Sequence, residues 1–300
     1  MFSGTTEAEL IDVIQRNKLQ HNLHRNNDGH LLCISWTSSS QLSLLNSFPE
    51  VIMIDGTYKV NQLRMPLYTL AIVDSEGHCQ PVAHALLAHE DQQHIELFLR
   101  DVLHWTIAVE SATFVCDKDF AEINAISRVL PDAKIFLCHF HVMKAFTDRM
   151  KRLCIIDATS LLTLVKKMLR CGSEETFKTT LETIRNQFPT FHAYLDDNWL
   201  PHRALFAGYK RRGVLHLDNH TNNRLERYHH TIKTVVRYTG RLSAAHYQRT
   251  VSGHAAQRFQ QETEDFVKQF RHQTVRSISV SICRFSHCLC LRGCCKAHRN

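Results

Sequence analysis

Three acids in this chain, Asp55, Asp117 and Glu226, combine a residue type and a setting that could do chemistry. Asp55 follows four apolar residues, Val51, Ile52, Met53 and Ile54, which read as a buried strand running into Asp55-Gly56-Thr57. A carboxylate at the end of such a strand is held rigidly where a sheet opens to solvent. Asp117 stands in the same way directly after the short apolar run 113–116, and Glu226 lies at the edge of the apolar face of a helix expected over 222–238. Oxygen-only ligands suit Mg²⁺ or Mn²⁺. Three converging carboxylates can hold two such ions about 3.5–4 Å apart, which would activate a water or a 3′-hydroxyl and stabilise the leaving oxygen of a phosphodiester. Singly, each acid also has an ordinary reading: Asp55 as an Asp-Gly turn, Asp117 as a helix cap, Glu226 as a solvated residue paired with Arg227 or His230.

The elements around the acids decide between these readings. From residue 51 the pattern gives a strand, two further strand-like runs at 67–73 and 81–88 joined by a hairpin at 74–77, and a helix over 91–109. A strand at 113–116, a helix at 120–130 stopped by Pro131, and a strand at 134–137 follow. Three antiparallel strands and then alternating helix and parallel strand predict an α/β fold with an RNase H-like mixed sheet. In that topology the strands carrying Asp55 and Asp117 are neighbours. Residues 139–200 read as four helices without a strand, an all-helical insertion. Upstream, a short amphipathic helix over 6–19, a turn at 26–29 and a strand at 31–36 precede a helix ended by Pro49. A further helical stretch is expected over 250–270.

The stretches IDGTYKVN, MPLYTLAIVDSEGHCQPVAHALLAHED, TFVCDKDFAEINAI, FLCHFHVMKAF and TNNRLERYHHTIK resemble the catalytic domain of Mutator-like (MULE) transposases, in the branch found in zinc finger SWIM-domain-containing proteins. The resemblance runs from about residue 48 to residue 239. It implies a DDE triad for DNA strand cleavage and transfer, falling on Asp55, Asp117 and Glu226, with two Mg²⁺ or Mn²⁺ ions as cofactors. Asp119 competes for the second place; Asp117 follows the strand directly, and Asp119 is expected to cap the next helix. The family's C-x-x-H signature matches Cys138 and His141. Such spacing can be half of a zinc site, but Cys154 and Cys171 lie far along expected helices, so the pair is read as structural or close to DNA.

The net charge of +7 is concentrated: residues 201–253 hold ten Lys/Arg against two acids. Lys210, Arg211, Arg212, Arg224, Arg227, Lys233 and Arg237, with Arg241 beyond them, bracket Glu226 and are expected to form a phosphate-reading DNA surface. Of eleven cysteines, six are scattered singly and read as reduced thiols. The tail holds Cys288, Cys290, Cys294, Cys295 and His298. Cys288-Leu289-Cys290 fits the first half of a SWIM zinc finger, whereas Cys295 and His298 do not complete it, leaving Zn²⁺ there as an open alternative. No run of about 18 apolar residues and no signal-peptide pattern is seen, so an intracellular, nuclear chain with DNA as partner is expected, with no membrane association and with a homo-oligomer left open.

The expected organisation is an N-terminal region (1–47), the first part of the core (48–138), the helical insertion (139–200), a basic segment with the third acid (201–253), a helical region (254–282) and the Cys/His-rich tail (283–300). Two functions compete. One is a DDE enzyme cutting DNA. The other is a domesticated, non-catalytic nuclear protein that binds DNA or protein on the same fold. An unrelated metal-dependent nuclease is a third.

Overall fold

Seven short runs, most of them rich in β-branched and aromatic residues, pair into one mixed sheet. A computed structural model describes residues 5–60 and 64–239, all of them within one unit, Met1–Ala245. In chain order the elements are α1 (Thr5–Arg16), β1 (Gln20–Arg25), β2 (Leu31–Thr37), α2 (Ser39–Ser47), β3 (Val51–Thr57), β4 (Leu67–Val73), β5 (Cys79–Leu87), α3 (Gln92–Trp105), β6 (Thr113–Cys116), α4 (Phe120–Val129) and β7 (Lys134–Leu137). The strand order is β1-β2-β5-β4-β3-β6-β7. β3, β4 and β5 are antiparallel, while β6 pairs parallel with β3, and β7 parallel with β6. This is the RNase H-like arrangement, with β3 and β6 adjacent.

Because side chains alternate along a strand, β3 presents two different columns. Val51 and Met53 join Ala71, Val115, Cys138 and Leu225 in one apolar cluster. Ile52, Ile54 and Phe114 are fully buried on the opposite face. Asp55 and Asp117 continue the first column of each strand, two residues beyond the parallel pair Met53 and Val115. Both carboxylates therefore leave the sheet on the face that carries Leu225.

The two strands of the N-terminal region expected over 1–47 belong to the core's sheet. β1 and β2 extend the same sheet beyond β5, and buried Asp101 of α3 fastens them by accepting from Asn22 Nδ2 (2.7 Å), His24 Nε2 (2.9 Å) and Ser35 Oγ (2.5 Å). β1 escaped the sequence pattern because QHNLHR has no apolar alternation. It is the outermost strand, half exposed along its length, where polar residues protect an edge.

The insertion comprises α5 (His139–Arg152), α6 (Ala158–Arg170), α7 (Glu174–Gln187) and α8 (Pro189–Asn198). Ser173 caps α7, as its position before Glu174-Glu175 predicts. Phe146 is its hub: Trp199 meets it edge-on at 4.7 Å between ring centroids, and Phe191 and Phe206 also touch it. Two single turns, α9 (Arg203–Phe206) and α10 (Gly208–Arg211), lead back to the sheet before α11 (Asn223–Thr239). α11 packs against β3 and β5.

Candidate metal and nucleic-acid site

Asp55 belongs to a row of side chains that crosses four strands. It pairs with Thr69 of β4, Thr69 with His84 of β5, and His84 with Trp36 of β2. α11 lowers His229 onto this row. His229 Nδ1 lies 3.0 Å from Asp55 Oδ2 and its Nε2 3.2 Å from Thr69 Oγ1. Thr69 Oγ1 is 3.3 Å from His84 Nδ1, and His84 Nε2 is 3.4 Å from Gln41 Nε2.

One direction gives every link in this chain a donor and an acceptor. The Gln41 amide nitrogen can only donate, and burial, then the nearby His229, push His84 down to about 3, keeping it neutral. So His84 accepts from Gln41, donates to Thr69, and Thr69 donates to His229, which donates to the Asp55 carboxylate. Gln41 is itself fixed by a capping box with Ser38 and by donating to the Pro81 carbonyl (2.9 Å). A directed chain of this kind polarises each member towards the carboxylate. It anchors Oδ2 of Asp55 and fixes the orientation of its other oxygen.

Asp117 has a different environment. Asn222 Nδ2 donates to its Oδ1 at 2.9 Å, and His141 Nδ1 stands 2.5 Å from the same oxygen. The other nitrogen of that ring, Nε2, is 3.3 Å from Glu226 Oε1. One imidazole thus spans two of the three acids. Contact with Asp117, then with Cys138, pushes His141 up to about 10. Burial raises the Glu226 carboxyl; His141 offsets this, while the negative charges of Asp55 and Asp117 add to it. Glu226 therefore feels the other two acids. Among the described residues, Glu226 Oε1 and His141 Nδ1 are buried atoms without a properly directed hydrogen bond. Three carboxylates suit divalent cations as a donor type. Among the described residues, the grouping around Asp117 with donor atoms within 4.8 Å of one another joins it to Cys138 and His141 and does not include the three acids together.

Two further carboxylates were not anticipated. Glu122 of α4 is 3% exposed, and burial, then Asp55, Asp117, Asp119 and Glu90, raise it well above the ordinary range. It is a neutral acid beneath the site. Glu90 accepts from Tyr68 at 2.8 Å and also from Tyr58. Tyr68 lies so close over Gly56 that a Cβ there would meet its Cε2 at 2.7 Å. Gly56 is therefore a close-packing position directly after Asp55. The sequence held weak signals for this set: His229 is one helical turn from Glu226, and His84 is a lone polar residue in an apolar strand.

Asp119 caps α4 by accepting from the Ala121 N–H at 2.7 Å, which leaves Asp117 at the strand end. In the basic segment, Lys210, Arg212, Arg224 and Arg227 are exposed and Lys233 is half-buried. Arg212 donates to the Gly172 carbonyl and Arg224 to Asn219. Arg211 does not fit a DNA surface. It is 2% exposed, donates to the Leu137 carbonyl at 2.5 Å and stacks over Phe136. Its charge closes the free edge of β7, which the basic pattern alone could not distinguish from a phosphate contact. The Arg237 side chain, Arg241, Cys288, Cys290, Cys294, Cys295, His298 and the stretch 250–270 lie outside the described residues.

Residues 11–136 match the family model of the RNaseH-like domain of zinc finger SWIM domain-containing protein 1/3. That span takes in β1 and β2 as well as Asp55 and Asp117, and stops before His141 and Glu226. A PKS-NRPS hybrid synthetase, cheA, of Chaetomium globosum is 30% identical over 123 residues, which is 39% of this chain and 3% of that protein. Among the described residues no helix is long and apolar enough to cross a membrane.

Proposed function

We propose that this chain is a transposase-derived, DDE-type domain that acts on DNA in the nucleus, with Asp55, Asp117 and Glu226 as its acidic triad. The observation that carries the reading is the shared column: Asp55, late in β3, and Asp117, just after the adjacent parallel β6, lie on the face covered by the helix that bears Glu226. Two divalent ions, when bound, would supply an activated oxygen nucleophile and stabilise the leaving oxygen of a phosphodiester. The chain's own residues set the stage for that chemistry. The donor chain through His229 holds Asp55 in one rotamer, and Asn222 holds Asp117. Exposed Lys210, Arg212, Arg224 and Arg227 offer phosphate neutralisation on either side of Glu226.

A second reading has its own observation. His141 and His229 engage carboxylate oxygens of all three acids, as expected of a retired site in a domesticated DNA- or protein-binding protein. Strand cleavage of a labelled duplex in Mg²⁺ or Mn²⁺ separates the two. The enzyme reading expects cleavage that disappears in Asp55→Asn and Glu226→Gln. DNA binding without cleavage, unchanged in both variants, overturns it in favour of the second.

A further inference from the structure

Cys138 and His141 open α5, and the spacing C-x-x-H alone supplies only two donors. The fold adds a third from a distant element. A donor atom from each of Asp117, Cys138 and His141 lies within 4.8 Å of the other two. We propose that these three residues form a site for a zinc-class transition-metal ion, set against the acidic site and sharing Asp117 with it.

The ligand chemistry selects the ion. A thiolate and an imidazole favour Zn²⁺ or Co²⁺ and are poor ligands for Mg²⁺. Three protein donors leave one coordination position, the pattern of a zinc site with an open place for water or substrate. The surroundings match as well. A metal-bound histidine usually donates its other N–H to a carboxylate, and with Nδ1 on the metal side beside Asp117, Nε2 faces Glu226 at 3.3 Å. The Asn222 backbone N–H approaches Cys138 Sγ at 3.5 Å, a contact suited to a thiolate. Metal–ligand bonds of about 2.0–2.3 Å place tetrahedral donors roughly 3.3–3.8 Å apart. The 2.5 Å approach of Asp117 to His141 therefore has to open by about 1 Å, a small side-chain rotation at a partly exposed site.

A second grouping, His216, Asp218 and His220, is less suited. Arg211 Nη1 lies 3.3 Å from His220 Nδ1, a fixed positive charge in direct contact with one of its three residues. At Asp117–Cys138–His141, Arg211 also acts on Cys138, but it is held by the Leu137 carbonyl and its positive charge favours the thiolate ligand.

The inference shares Asp117 with the triad of the proposed function but does not require cleavage. It is tested on the full chain with Cys283, Cys288, Cys290, Cys294 and Cys295 changed to serine, so that the tail contributes no thiolate. Co²⁺ is titrated into the chelator-treated protein, and thiolate-to-cobalt charge transfer and the visible bands of four-coordinate cobalt are recorded. The expected result is one equivalent of Co²⁺ with both features, displaced by Zn²⁺ and not by a large excess of Mg²⁺. Both features are lost in Cys138→Ser and in His141→Ala, and persist in Asp55→Asn. Circular dichroism shows whether each variant is folded. No charge-transfer band in the parent, or a band that survives in both folded Cys138→Ser and His141→Ala, overturns the site. A band without any metal-dependent DNA cleavage leaves this site standing and removes the enzyme; cleavage without the band does the reverse.

Discussion

Thr69→Val probes the directed donor chain that holds Asp55. Thr69 Oγ1 is the middle link: it accepts from His84 Nδ1 and donates to His229 Nε2, and both rings are buried. Valine keeps the shape and removes both bonds. One buried donor and one buried acceptor then lose their partners, at about 1–3 kcal/mol each. A methyl in place of the hydroxyl returns about 0.8 kcal/mol. The net destabilisation is about 1–5 kcal/mol, read as a lower urea midpoint at unchanged slope. In a His84→Leu background the stranded Nδ1–H no longer exists, so the same substitution costs roughly half as much, a coupling that a double-mutant cycle isolates. A change below about 0.5 kcal/mol, typical of an ordinary surface substitution, or equal costs in both backgrounds, would refute the chain.

Gly56→Ala forces a Cβ against the Tyr68 ring and Glu90 and is expected to lower stability by about 1–3 kcal/mol in the same urea assay. Arg211→Ala strands the Leu137 carbonyl and is expected to cost about 1.5–3 kcal/mol without changing the salt dependence of DNA binding. Arg227→Ala should instead flatten the slope of log K against log salt by about 0.9, the share of one phosphate contact. The metal-free protein should be most stable near neutral pH. His84 and His139 are held down to about 3, chiefly by burial. Below pH 6.5 the unfolded chain therefore binds protons that the folded one refuses, and stability falls by up to about 1.4 kcal/mol per pH unit for each group. His141, pushed up to about 10, contributes fully below 6.5 and loses that contribution as pH rises towards 10. A melting temperature that is flat from pH 4 to pH 9 in chelator would contradict these assignments.

The central strand order was legible because β3, β4 and β5 are apolar runs, and α3 and α4 begin at the caps Asp91 and Asp119. Helices over 139–200 were legible from their period and from Ser173. What the sequence could not convey is lateral neighbourhood. β1 is a polar edge strand recognisable only from its pairing with β2. Arg211 looks like its basic neighbours until the open edge of β7 is seen beside it. The reading of Cys138 and His141 as structural or close to DNA follows from seeking partners among cysteines, whereas the fold sets a donor atom of Asp117 beside both. The row through Thr69 and His84 exists only in the register of four strands.

The central claim is that Asp55, Asp117 and Glu226 hold divalent ions together. Calorimetric titration of Mn²⁺ in the presence of a phosphodiester oligonucleotide tests it directly, on wild type, Asp55→Asn, Asp117→Asn and Glu226→Gln. The asparagine at 55 keeps an oxygen for His229 and removes only the charge. The account predicts Mn²⁺ binding by wild type that is lost in every one of the three variants. Binding of equal affinity and stoichiometry in any folded variant, or none in wild type, would contradict it.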